Sequence, residues 1–143
     1  MDYGGAQEPI KVFENTYQMG PREDQKVSIP RVHEVIQRVL EDKLAVTLEK
    51  EAGKKDKHVW NYDHEEVGEL AREACEAIQQ AVKELGYARY KLIVQVQMGE
   101  NNGQALRTAS RCLWAPESDV SVSGSFVKGR MFATATVFCL YHE

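Results

Sequence analysis

Twelve residues near the end of the chain, Arg130 to Tyr141, set the tightest limit on its fold. At a spacing of two, Met131, Ala133, Ala135, Val137 and Cys139 share one face. Phe132, Thr134, Thr136, Phe138 and Leu140 share the other. A strand that is largely apolar on both faces needs cover on both, which places it centrally in a sheet.

The other strands of that sheet are legible upstream. Tyr90, Leu92, Val94, Val96 and Met98 alternate with Lys91, Ile93, Gln95 and Gln97, the pattern of a half-buried strand. A turn through Gly99–Gly103 follows, and then Ala105 to Trp114 alternates again. Leu106, Thr108, Ser110, Cys112 and Trp114 fall on one face, with Ala105, Arg107, Ala109, Arg111 and Leu113 on the other. The second face carries two arginines and cannot be buried without partners. A further strand, Val120 to Val127, places Val120, Val122 and Phe126 together, and Lys128-Gly129 is expected to form a tight hairpin turn.

Two helices precede the strands. Pro30 suits a first helical turn, where its missing N–H costs nothing. Val32, Val35, Ile36, Val39, Leu40 and Leu44 then recur at three- and four-residue spacing, and Gly53 ends the helix at the latest. Asp63, with Glu66 three residues later, has the capping-box arrangement. Val67, Leu70, Ala71, Ala74, Ala77, Ile78, Ala81, Val82 and Leu85 form a second stripe, closed by Gly86 as the left-handed residue after the helix. The pattern predicts an α+β domain: two N-terminal helices packed on a four-stranded antiparallel sheet. The domain is expected over residues 30–143, behind a partly disordered arm of residues 1–29 in which Ile10–Phe13 and Thr16–Met19 form short extended pieces. The sheet face away from the helices still needs cover, and a second copy of the chain supplies it economically.

Composition narrows the function. A net charge of −4 argues against a nucleic-acid binder. The one basic run, Lys54 to His58, lacks interleaved aromatics and is expected to be a solvated loop. No apolar run approaches the ~18 residues of a membrane span, and the first residues lack a signal-peptide pattern. Three cysteines without a Cys-x-x-Cys pair point to a reducing compartment.

No catalytic or metal-binding constellation stands out, and no cofactor is called for. His33-Glu34-Val35-Ile36-Gln37 falls one residue short of the helical zinc pattern, because Gln37 stands where the second histidine belongs. His64 to Gly68 fails in the same way. Cys112 and Cys139 alternate among apolar residues and are expected to be small buried hydrophobes, and Cys75 beside the helix stripe is treated alike. Trp60 and Trp114 have two readings, partner anchors or ordinary core or rim residues.

From about residue 30 onward the chain resembles the Tctex-type dynein light chains. The residues that carry the resemblance are Tyr62-Asp63-His64-Glu65, Arg89 to Val96, Ser110 to Asp119, and Met131 to Val137. The Tyr-Asp opening and the Arg-Cys-Leu-Trp run look closer to the second subfamily, which includes outer-arm axonemal and intraflagellar-transport light chains. Two departures stand out. Ala115 replaces the usual Asp after the tryptophan, and residues 45–61 look longer than in many relatives.

The resemblance implies a non-catalytic dynein light chain that dimerises by strand exchange, with residues 104–114 of one protomer pairing with residues 90–98 of the other. The implied exchange residues are Leu106, Thr108, Ser110, Cys112 and Trp114 with Leu92, Val94 and Val96. Arg107, Ala109, Arg111 and Leu113 are left for a partner, the arginines either pairing with acidic groups or staying solvated. Implied partners are dynein intermediate chains, bound by β-augmentation, and a second Tctex-type light chain, identical or different. The implied location is the cytoplasm and cytoskeleton, including the axoneme of a cilium or flagellum. Intraflagellar or cytoplasmic dynein, or a Tctex-type cargo adaptor, is the alternative. From a different class, a small α+β enzyme or ligand-binding domain would use a pocket between the second helix and the sheet.

Overall fold

The structure, a computed structural model, describes residues 20–52 and 63–142. The expected extended pieces at 10–13 and 16–19, the Lys54–His58 run, Trp60 and Tyr62 lie outside the described residues. A single turn of 3-10 helix, Glu23–Gln25, leads to Val27, which is buried in the core.

The first helix, α1, spans Ile29–Ala52 and the second, α2, His64–Glu84. Val32, Ile36, Leu40 and Leu44 are fully buried, with Val35 and Val39 nearly so. At α2 the Asp63 carboxylate accepts the amides of Glu65 (2.9 Å) and Glu66 (3.4 Å). Among the described residues Glu66 makes no return bond, so half of the expected capping box forms. Val67, Ala74, Ile78 and Val82 face inward, and Gly86 follows with φ +78°, as a helix-ending glycine should.

Three strands make one antiparallel sheet: β1 (Tyr90–Glu100), β2 (Val120–Lys128) and β3 (Met131–Tyr141), in the order β1-β3-β2. The central position expected of the last strand is observed. Register places Leu92 opposite Cys139, Val94 opposite Val137 and Val96 opposite Ala135; on the other side Val122 also meets Val137. These residues form the helix-facing side, with α2 over β1, α1 over β2, and the helices in contact with each other. The alanines of β3, all fully buried, allow the close approach of the helix layer. At Gly124 a Cβ would lie 2.7 Å from Ile36 Cγ2, so the absence of a side chain there lets α1 sit on β2. The β2–β3 turn falls on Gly129-Arg130, one residue later than expected, with Gly129 at φ +60° in the first central position.

One expected element is not formed. Residues 104–113 adopt no strand, so among the described residues the sheet has three strands rather than four, and no local hairpin joins this segment to β1. After Asn101–Gly103 the chain turns across the outer face of the sheet. There Thr108 bonds the Gln97 side chain and makes no ladder with β1.

Candidate functional site

The side of the sheet away from the helices carries Lys91, Ile93, Gln95 and Gln97 from β1. It also carries Phe132, Thr134, Thr136, Phe138 and Leu140 from β3, and Ser121, Ser123, Ser125 and Val127 from β2. It is a mixed face, with aromatic rings toward its ends and hydroxyls and amides between. Ser123 and Thr136 bond across it through their hydroxyls at 2.9 Å. Ile93 and Val127 are 46% and 62% exposed, so apolar surface remains uncovered at two margins.

Residues 104–113 run over this face, and every one of them is exposed. Entry to the segment is shaped by a local net. Gln104 accepts the Asn102 amide at 2.6 Å and donates to the Glu100 carbonyl at 2.6 Å, while the Asn101 side chain accepts the Gly103 amide. Thr108 Oγ1 meets Gln97 Oε1 at 2.9 Å. Leu106, Thr108 and Ser110 line two clefts between segment and sheet, and Trp114 sets its ring edge-on to Phe138 at 6.5 Å. These four residues address the sheet, but Arg107, of the opposite parity, lines the first cleft beside Leu106 and Thr108, so the expected parity holds only in part. Leu113, on the opposite parity, is fully exposed.

Cys112 departs from expectation. It is exposed, not a buried hydrophobe, because the segment that carries it is not built into the sheet. Cys139 is buried as expected, and burial pushes its thiol up to about 11. Cys75 is intermediate; its Sγ donates to the Val94 carbonyl at 3.1 Å, and desolvation followed by the charge of Glu76 raises its pKa.

The exit from the segment is the best-bonded part of the site. Asp119 Oδ2 accepts the Ala115 amide at 3.0 Å, and the amides of Ser118 and Asp119 return to the Ala115 carbonyl at 3.1 and 2.8 Å. Asp119 Oδ1 accepts the Tyr141 amide at 2.8 Å. The turn after Trp114 is thus closed without a carboxylate at position 115. Beside it the Tyr90 hydroxyl donates to the Ser118 carbonyl, and Tyr90 stacks edge-on between Tyr87 and Tyr141. Burial first, then the charges of Cys139 and Asp119, raises the Tyr90 pKa. Nothing in the spacing of Asp119 and Tyr141 signals their contact.

Leu92, Val94 and Val96 are half-buried against the core on the helix side, so they can serve a partner strand only through their main chain. Arg107 and Arg111 are exposed and make no ion pair among the described residues. Where the enzyme-like alternative needs a hollow between α2 and the sheet, Ala74, Ile78 and Val82 are packed in place. Among the described residues no three His, Cys, Asp or Glu side chains gather as metal ligands, and no helix is long and apolar enough to cross a membrane.

Comparison with known proteins accounts for this architecture. Residues 26–140 match the Tctex-1 family. The chain is 34% identical over 137 residues to dynein light chain Tctex-type 5-B of Xenopus laevis, covering 96% of this chain and 69% of that one. It is 32% identical over 130 residues to dynein light chain Tctex-type protein 2B of Mus musculus, covering 90% and 81%. With dynein light chain Tctex-type 4 of Mus musculus it shares 39% identity over 82 residues, 57% of this chain and 37% of that one. The chain belongs to the Tctex-1 family and, with these dynein light chains, is a non-catalytic light chain.

Proposed function

We propose that this light chain dimerises by exchanging residues 104–114, which pair with residues 90–98 of the other protomer. The other protomer is a second copy or a different Tctex-type chain. The exchanged sheet then offers a free edge to an extended segment of a dynein intermediate chain, which adds as a further strand at the base of the motor. Arg107 and Arg111 meet acidic groups of that partner, with Ala109 and Leu113 on the same side. The type 2B relatives support a place near the second subfamily, and from it an axonemal outer arm in a cilium or flagellum. The type 5 relatives match at similar identity, and a light chain of intraflagellar or cytoplasmic dynein, or a Tctex-type cargo adaptor, is the alternative.

One observation carries the reading. Ten residues that alternate like a strand lie exposed and outside any ladder, beside a sheet whose two outer strands each have one side unpaired among the described residues. Backbone donors and acceptors in such a state are a template for another chain. A second choice of receiving strand has its own support. Cys75 of α2 already reaches the Val94 carbonyl on β1, whereas β2 presents Ser121, Ser123 and Ser125 exposed.

Ser110→Pro tests the reading, because it removes a ladder amide without touching any backbone bond of the single chain. The expected result is joint loss of dimerisation and of intermediate-chain capture with an unchanged fold. Retention of both would show that this segment is not the interface. Amide exchange in the assembled protein then separates the receiving strands, by protection gained at 90–98 or at 120–128.

A further inference from the structure

Strand exchange at β1 uses one edge of the sheet and leaves the other, along β2. The phase of the β2–β3 ladder fixes what that second edge presents. Gly129-Arg130 is a two-residue turn, so Lys128 and Met131 are a hydrogen-bonded pair, and every second pair along the ladder is another. Two bonds at the ends of β3 agree with this phase. The Tyr141 amide turns to Asp119 on the β2 side, and the Arg130 carbonyl to Asn101 on the β1 side. The amides and carbonyls of Ser121, Ser123, Ser125 and Val127 therefore point away from β3, with no partner among the described residues. This edge is unguarded. From Val120 to Lys128 it holds no proline, no bulge and one charge, at its last residue.

The chain's own N-terminal part is tethered beside this edge. Ser28 donates its amide to the Tyr87 hydroxyl at 3.1 Å. The Val27 backbone faces the Tyr90 hydroxyl, which donates to the carbonyl of Ser118, two residues before β2 starts. A chain laid back from there along the edge runs antiparallel to β2, the commoner pairing. Ile10 to Met19, ten residues, span about 33 Å when extended, against about 30 Å for the nine of β2. Charge agrees as well. Residues 1–19 carry Asp2, Glu8 and Glu14 against Lys11, and the far end of the edge leads to Lys128 and Arg130.

We infer that residues 10–19 add to the β2 edge of their own chain as an antiparallel strand. The inference rests on the reading in which residues 90–98 receive the exchanged strand, so that β2 is left over. The arm is favoured over any separate chain because a short tether holds it at an effective concentration in the millimolar range. With the arm in place Ser121, Ser123, Ser125 and Val127 are paired, and only the β1 side of the sheet remains for a second chain. Two assembled dimers then cannot join through their β2 edges.

Hydrogen exchange of the full chain, resolved to single amides by NMR, tests this. Three forms are compared: wild type, Ser110→Pro, and an arm variant with Lys11→Pro, Val12→Pro, Tyr17→Pro and Gln18→Pro. Adjacent prolines remove a ladder amide from each half of the arm in either register, because neighbouring amides face opposite sides. Slow exchange is expected at Ser121, Ser123, Ser125 and Val127 in wild type and in Ser110→Pro, faster by about ten-fold or more in the arm variant. Val122, Gly124 and Phe126, bonded to β3, keep their protection in all three forms and report an intact fold. Fast exchange at the four edge amides in wild type, or equal rates with and without the arm prolines, would overturn the inference. Protection lost in Ser110→Pro but kept in the arm variant would also overturn it, and would assign the β2 edge to the exchanged strand of a second chain. Sedimentation of wild type is run alongside. A monomer there contradicts the exchange reading instead, and the place of the arm is then decided by the wild-type and arm-variant rates alone.

Discussion

Asp119 accepts the backbone amide of Tyr141 at 2.8 Å, tying the start of β2 to the end of β3 across 22 residues of sequence. Its second oxygen takes the Ala115 amide at 3.0 Å. One carboxylate therefore fixes both the sheet and the direction in which residues 104–114 leave it. This is the anchor about which the segment is carried, whether it lies on its own sheet or reaches another.

Removing that carboxylate strands two amides. Asp119→Ala is expected to destabilise the chain by about 1–3 kcal/mol, read as a lower urea midpoint at unchanged slope. Asp119→Asn keeps one acceptor and should lose less. Equal stability of wild type and Asp119→Ala would show that water replaces both bonds.

The Gly124–Ile36 contact makes a separate prediction. Ile36 is fully buried and cannot swing aside, so Gly124→Val is expected to lift α1 from β2 at a cost of about 1–3 kcal/mol. Thermal unfolding of the two forms measures it. A stabilised variant would contradict the packing described for that layer.

Much of this layer is legible in the sequence, and the reason is local. The stripes of α1 and α2, the Asp63 cap, the stop at Gly86 and the doubly apolar β3 are all set by spacings of two to four residues. The segment 104–113 shows what such spacing leaves open. Alternation says which side chains share a face, and Leu106, Thr108, Ser110 and Trp114 do address the sheet together. It does not say which backbone a strand pairs with. For that reason the pattern predicts a fourth local strand where the described residues form three, and a buried Cys112 where the residue lies exposed. The Asp119–Tyr141 bond has no local signature for a related reason, since no local pattern brings residues 22 apart together.

Cys112 and Cys139 differ in exposure. In the single chain Cys112 is expected to react readily with a thiol reagent near neutral pH, while buried Cys139 resists until the protein unfolds. Reagent titration followed by peptide mapping checks both. Assembly through residues 104–114 should slow the Cys112 reaction; an unchanged rate in a demonstrated dimer would place the interface elsewhere.

Cys139 also gives stability a pH dependence. Its folded pKa, about 11, lies above the ordinary thiol value of 9.0, so the folded state holds the proton more tightly. That contribution is complete below the ordinary value and is lost as pH rises from about 9 through 11. Urea midpoints should fall across this window, and Cys139→Ala should flatten the fall whatever its own baseline stability. A slope unchanged in Cys139→Ala would assign the alkaline loss to other groups.

The central claim is that residues 104–114 are a strand without a ladder until a second chain provides one. The mass of the purified full chain in solution, by sedimentation at micromolar concentration, addresses it most directly. A dimer is expected, formed by the chain alone or on addition of a second Tctex-type light chain, and lost in Ser110→Pro at unchanged thermal midpoint of the single chain. A monomer under both conditions would contradict the account.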